Sequence, residues 1–486
     1  MEDNMKKIIT LFLAVFMLFS VVACAKETGK GPNNNNSNPT DEKIWINKDL
    51  DFDGFEFNIM SAAPGGTIST WDGSDIESEE VTGNEVLDAV YYRNRLIEEA
   101  YNCKINWVDA VNAEMVKTTL MSGNENDAAL LSRQLWETFD LIEEGFLLDL
   151  NDSSFTHLDL KKDWYSQTLQ RDITIAGKLY AVCGDMLFTD EVGMWITLFN
   201  KSLAARYMPD VNLYDEVRKG TWTIDMLTEY AALATTEIVA DDTMTYQDQW
   251  GYMGEPYNVP ALVAASGNCL AELTEDGGIK INVFDADFQN IFAKCYETVD
   301  PRFCLMNGDI KGASNVWDTY NATFYEGRVL FMITSMFRSI NFREMSSDFG
   351  ILPLPKLNEA QEQYYTWSTY NINVISVPYT CTDPERTSAI MEALFEESSY
   401  KLQPAFSINA LKYQSTRDDD SIEMLDIIMD NTIYDIGVIY DFGGTCSTLV
   451  SIVNERSIGS MASRIRKQEP AANAQIKALL EKLKAE

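Results

Sequence analysis

Phe55-Glu56-Phe57-Asn58-Ile59-Met60 alternates bulky apolar with polar side chains, and Ser61-Ala62-Ala63-Pro64-Gly65-Gly66 follows it directly. A period of two puts one face of a strand into a core, and the Pro-Gly-Gly run ends it in a loop. A helical pattern comes next. Thr82-x-x-Glu85 has the spacing of a capping box, and Val86, Val90, Ile97 and Tyr101 recur on one helical face. Lys104 to Val108 reads as a second strand, Met115 to Met121 as a helix, and Asp127 to Leu131 as a third strand. Trp136 to Gly145 reads as a helix closed by its glycine. Strands alternating with helices predict a parallel sheet joined by helical crossovers, so the fold class is α/β.

The pattern continues downstream. Ile173 to Val182 and the stretch ending at Leu198-Phe199-Asn200 read as two extended pieces around a loop at Asp185. Ile224 to Leu233 is a helical stretch. Val329-Leu330-Phe331-Met332-Ile333 is a buried strand by its unbroken apolarity, followed by a helix over Phe337 to Met345. Phe349 to Leu354 and Asn371 to Val377 add two strands, and the remainder is mainly helical. No internal repeat is evident.

The amino terminus has a different character. Lys6-Lys7, an apolar run from Ile8 to Phe19 and Ser20-Val21-Val22-Ala23-Cys24 follow the plan of a secretory signal over residues 1–23. The run is shorter than the roughly 20 apolar residues of a spanning helix. Val21-Val22-Ala23-Cys24 resembles the bacterial lipobox, which makes Cys24 the expected site of lipidation. Residues 24–44, rich in Asn, Gly, Pro and Ser from Lys26 to Lys43, read as a flexible tether.

With 486 residues, 46% of them hydrophobic, the chain can build two or more domains around a large core. Its formal charge of −37 repels phosphate backbones, which excludes nucleic acid as a partner class. Beyond Cys24 the chain holds Cys103, Cys183, Cys269, Cys295, Cys304, Cys381 and Cys446, scattered and odd in number. They define no disulfide framework and read mainly as buried small hydrophobes. The single histidine, His157, sits in a polar stretch and reads as a surface residue. No G-x-S-x-G, Walker A or G-x-G-x-x-G sequence occurs, and no cofactor or metal is implied.

Four stretches carry a resemblance: Tyr92 to Asn102, Ala176 to Ala181, Asp348 to Lys356, and Arg417 to Ile428 with Tyr434 to Gly437. In order and spacing they resemble the extracellular solute-binding proteins of family 1, in particular a clostridial group. The resemblance spans roughly residues 50–450. It implies a two-lobed periplasmic-binding-protein-like fold of type II with the ligand cleft between the lobes. The implied role is capture of a small solute for an ABC importer, outside the cell, on a lipid anchor at the membrane. The implied partition puts 45–180 plus 329–371 in lobe 1 and 181–328 plus 372–486 in lobe 2, with hinge crossings near Tyr180, Arg328 and Asn371.

Ligands of open α/β sheets bind beyond the carboxyl ends of the strands. That selects the loops Ser61 to Trp71, Ser132-Arg133-Gln134, Gly184-Asp185, Ser335-Met336 and Thr366 to Tyr370. A sugar needs flat aromatic faces for its C–H surfaces and planar polar groups for its hydroxyls. Trp71, Trp164, Tyr165, Trp222, Trp317 and Trp367 supply the first kind. Arg133, Asp185, Ser335, Arg338 and Asn373 supply the second. Trp195, inside an apolar strand, reads as core. Two other classes stay open at this point. A secreted glycoside hydrolase would need a pair of carboxylates in its cleft, and a lipoprotein serving a membrane sensor would share the closed, ligand-bound shape.

Overall fold

The computed structural model describes residues 49–61, 74–110, 112–407 and 418–485. Residues 1–23, the tether 24–44 with Cys24, and Trp71 therefore lie outside the described residues. Three strands come from the first third of the chain: β1 (Phe55–Ser61), β2 (Cys103–Asp109) and β3 (Leu130–Gln134). Next come β4 (Trp195–Asn200), β5 (Trp250–Gly254), β6 (Ala271–Leu273), β7 (Ile279–Ile281) and β8 (Cys304–Met306). The last are β9 (Val329–Ser335), β10 (Phe349–Leu352), β11 (Thr366–Trp367), β12 (Asn373–Ser376) and β13 (Thr432–Ile433).

The opening strand behaves as its alternation requires: Phe57 and Ile59 are fully buried while Glu56 faces solvent. β1 lies between β2 and β3 and is parallel to both, with Ile59 opposite Trp107 on one side and Leu130 on the other. The helix Glu85–Tyr101 buries Val86, Val90, Ile97 and Tyr101. Its cap departs from expectation. Asn84, not Thr82, accepts from the Val86 and Leu87 N–H groups, and Thr82 instead binds Asp88. The helix Leu135–Glu144 ends at Gly145, whose φ of 81° is the left-handed geometry that glycine adopts without a Cβ penalty.

Two sheets define two lobes. The first has the order β12-β3-β1-β2, and the second β10-β4-β9-β5-β8. This corrects the expected partition. β9 and β10 were expected with the first lobe, but β9 pairs with β4 and β5, and β10 pairs with β4, in the second sheet. β12 was expected with the second lobe, but it runs antiparallel to β3, with Val374 opposite Arg133. The segment that follows β12 obeys the same rule: the helix Pro384–Ala405 packs along Glu85–Tyr101 in the first lobe. Apolar strand stretches look alike in isolation, and only their pairing assigns them to a sheet.

The carboxy-terminal helices divide as well. Cys446, Leu449, Ile452 and Val453 enter the core around the second sheet, whereas Ala472, Ile476, Leu479 and Leu483 enter the core around the first. The extended piece expected over Ile173 to Val182 forms only isolated bridges, Ile175 with Lys178 and Val182 with Ile375. All seven described cysteines are free thiols, five of them buried. Burial and the Glu98 carboxylate push the Cys103 thiol up to about 12, out of the thiolate range.

Trp222 anchors the second lobe. Its ring is fully buried 5.4 Å from Phe331, and its Nε1 donates to the Pro353 carbonyl at 3.0 Å. A Trp222→Ala chain is expected to lose about 3–5 kcal/mol of stability, the cost of a large buried cavity, as measured by denaturant unfolding.

Candidate functional site

The parallel strands β5, β8 and β9 end at one edge of the second sheet and deliver Glu255, Asn307 and Ser335 there. β4 runs the opposite way, with Trp195 paired to Ser335, so its first residue reaches the same edge. The helix Val316–Tyr325 contributes Trp317 and Asn321. The chain returning to the first lobe contributes Trp367, Thr369, Tyr370 and Asn371. Together these groups line a cavity of about 570 Å³, a size suited to one small ligand. A neighbouring cavity of about 550 Å³ shares Pro256, Tyr257, Asn307 and Val450 with it.

One wall is aromatic. The Trp195 and Trp367 rings lie 5.0 Å apart at 56°, and Tyr257 runs within 9° of parallel to Trp367 at 6.4 Å. Tyr370 adds a fourth ring 5.5 Å from Tyr257. The Trp195 Nε1 is buried with no hydrogen-bond partner among the described residues. A buried donor left unpaired costs free energy that a ligand acceptor would recover.

The polar groups are held in place. Arg338 donates from Nε to Thr334 Oγ1 at 2.9 Å and from Nη1 to Asn321 Oδ1 at 3.0 Å. Its guanidinium lies 5.1 Å from the centre of the Trp317 ring and 5.7 Å from that of Tyr320, within cation–π range. The Glu255 backbone is fixed by Asn258, which accepts from the Glu255 N–H and donates to the Ile333 carbonyl at 2.9 Å. Burial raises the Glu255 carboxyl above the usual carboxylate range, with the Arg338 charge opposing that rise.

No family model matches the chain, and no curated protein does. Solved structures do. It is similar to a cyclo/maltodextrin-binding protein complexed with maltotetraose, at 14% identity, 88% of this chain, 97% of that one and a TM-score of 0.54. It is similar to RafE from Streptococcus pneumoniae in its apo form, at 13% identity, 86% and 98% coverage and a TM-score of 0.54. An ABC substrate-binding protein from Listeria monocytogenes in complex with cycloalternan aligns at 14% identity, 87% and 100% coverage and 0.53. The chain has the two-lobed fold of periplasmic binding proteins. At these identities the likeness bears on architecture, and the chemistry of the site rests on this chain's own residues.

Within that binding-protein fold, Trp317, Ser335, Arg338 and Trp367 come together at the cavity. The other expected site residues lie elsewhere. Trp222 is the core anchor described above. Tyr165 is buried in the first lobe, its hydroxyl donating to Glu392 at 2.8 Å and its ring 4.5 Å from Phe395. Arg133 is buried, its Nη1 donating to the Ala110 carbonyl and its Nη2 to Glu137, both at 2.5 Å. Asn373 is buried in β12, its N–H donating to Thr189 Oγ1 at 2.9 Å. In each case packing or protein partners already occupy the group. Trp164 is half-buried under the Lys162 ammonium, and its carbonyl accepts from the Asp185 N–H at 3.0 Å.

Trp195 is buried in the core of the second lobe, as expected, and also borders the cavity, because β4 is antiparallel and the site meets its amino end. Glu255 and Tyr257 escape sequence reading because Trp250-Gly251-Tyr252-Met253-Gly254 does not announce the strand that ends beside them. The spacing Glu255-Pro256-Tyr257 directly after Gly254 was the available signal.

Asp185 lies on the segment that leaves the first lobe, in the same stretch as Asp190 and Glu191. Desolvation, then the Asp190 charge, pushes Asp185 up to about 7, and desolvation pushes Asp190 up to about 7. Glu191 is raised as well, with Gln403 donating to one oxygen and the other unpartnered among the described residues. Raised carboxylates bind protons in the folded state that the unfolded chain has released, so they cost stability above the folded pKa. Stability is therefore expected to rise as pH falls from 8 through 7 toward 5, and Asp190→Asn to flatten that slope, as read from thermal unfolding at each pH.

Proposed function

We propose that this chain is an extracellular solute-binding protein that captures a small carbohydrate for an ABC importer, held at the membrane by a lipid on Cys24. The observation that carries the ligand class is the cavity itself. Four aromatic rings form one wall, one of them carrying a buried, unpaired indole N–H, and Glu255 and Arg338 line the same space. Aromatic faces suit the C–H surfaces of a sugar, and the polar groups suit its hydroxyls. The maltotetraose and cycloalternan bound to the structurally similar proteins support the same ligand class. Glu255 is the one carboxylate among the described lining residues, whereas glycoside hydrolysis needs two, which favours binding over cleavage.

The mechanism follows from the connections. Thr369 N–H donates to Gly193 O at 3.0 Å, and Met194 bridges Ser368, so the outgoing and returning chains are joined beside the cavity. We assign these segments to the hinge. Contacts that a sugar makes with both lobes favour the closed population, and the closed surface is what the permease recognises. A Cβ on Gly193 would lie 2.3 Å from Ile372 Cγ2, so a side chain there would push the two segments apart.

The test is a thermal-shift screen of the chain lacking residues 1–24 against maltotetraose, cycloalternan, raffinose, polyols and short peptides. A ligand at 100 times its Kd stabilises the native state by about 2.7 kcal/mol. A saturable shift with one sugar class, the sugar recovered intact, is the expected result; cleaved sugar or a shift with peptides alone would overturn it. Trp195→Phe keeps a ring but removes the indole donor, and is expected to weaken the sugar about tenfold, the worth of one hydrogen bond. Gly193→Val is expected to diminish the sugar-induced fall in radius of gyration measured by small-angle scattering.

A further inference from the structure

Glu255 and Arg338 are the charged side chains among the described residues lining the cavity of about 570 Å³; the rest are Trp, Tyr, Phe, Asn, Ser, Thr, Pro and Val. Both line the same space, yet no ion pair joins them at 4 Å or less. The Glu255 carboxylate makes no hydrogen bond within the described residues, and Arg338 uses Nε and Nη1 on Thr334 and Asn321 while Nη2 has no partner there. Two opposite charges in one cavity that do not satisfy each other are each left for a ligand. Lys311, in the neighbouring cavity, is engaged with the Gly308 carbonyl at 2.5 Å and does not alter that balance.

We propose that Glu255 and Arg338 act as a charge-balanced pair that selects an uncharged sugar ring and rejects its uronate and amino counterparts. This rests on the carbohydrate reading above and narrows it. A hydroxyl can donate to a carboxylate and accept from a guanidinium, so a ring with hydroxyls toward both groups satisfies the pair without adding charge. A uronate would pair with Arg338 but bring a second negative charge against Glu255. An ammonium would pair with Glu255 but face the guanidinium. Each charged sugar thus meets one repulsive partner in a partly desolvated space, which is how discrimination by unlike contacts arises. Arg338 is pre-positioned by its hydrogen bonds over the Trp317 ring, and Asn258 anchors the backbone from which the Glu255 carboxylate projects.

The experiment is calorimetric titration of wild type, Glu255→Gln and Arg338→Gln with nine monosaccharides: glucose, galactose and mannose, each as the neutral sugar, the amino-deoxy sugar and the uronate. Wild type is expected to bind a neutral sugar at least about tenfold more tightly than its charged counterparts. Glu255→Gln is expected to raise the uronate relative to the neutral sugar by about tenfold, and Arg338→Gln to raise the amino sugar likewise. Arg338→Lys keeps the charge without the fork, so it should leave the amino sugar excluded. Unfolding midpoints without sugar identify a variant that has merely lost its packing.

Charged and neutral sugars binding wild type equally, or variants that change all three classes by one factor, would overturn the pair while leaving the carbohydrate reading intact. Silence with all nine would overturn the pair as a reader of single rings, and the wider screen would then decide the carbohydrate reading separately.

Discussion

Thr369 donates its N–H to the carbonyl of Gly193 at 3.0 Å, and that bond joins two points where the chain passes between its sheets. Around it, Met336 N–H donates to the Met194 carbonyl at 2.7 Å and Leu135 N–H to the Ile372 carbonyl at 2.8 Å, so the strand ends of both lobes meet the same narrow connection. The absence of a side chain at Gly193 is what lets Ile372 and Thr369 approach so closely. The cavity inherits its position from this arrangement. Trp195 follows the outgoing segment, Trp367 and Tyr370 lie on the returning one, and both sets therefore face one space.

A sheet with one reversed strand sharpens that effect. Because β4 opposes β9, the beginning of β4 and the end of β9 lie side by side, as the pairing of Trp195 with Ser335 records. Ring packing then holds the wall, since offset and tilted aromatic pairs at 5.0–6.5 Å favour each other beyond simple burial. The result is a rigid apolar face beside a small number of oriented polar atoms. Such a site spends little ordering entropy on a ligand. The net charge of −37 belongs mostly to surfaces elsewhere, because the described lining of the cavity carries one acid and one base.

Particular residues show where local reasoning reaches its limit. The alternation at Phe55 to Met60 and the period of Val86, Val90, Ile97 and Tyr101 were legible, because one face of each element is buried and the other wet. Strands β9 and β10 were legible as strands but not as members of the second sheet, since a run buried on both faces carries no mark of its neighbours. Trp317, Ser335, Arg338 and Trp367 could be selected as loop or strand-end residues. Trp222 and Tyr165 matched the same description and proved to be core, their polar atoms bonded to Pro353 and Glu392. An aromatic side chain near a strand end packs inward or faces a cleft according to what lies across from it, and the partner is distant in sequence.

By itself the sequence determined the α/β class, the apolar faces of its elements and a short set of aromatic and charged residues from which a sugar site could be built. These are properties of local period, composition and net charge. Tertiary structure alone decided which strands share a sheet, that β4 runs backwards, and that Trp195, Glu255 and Tyr257 stand with Arg338 and Trp367 around one cavity. The reason is physical: hydrogen bonding between strands and burial of a polar atom depend on partners far away on the chain, as Asn258 with Ile333, 75 residues apart, and Thr369 with Gly193 illustrate.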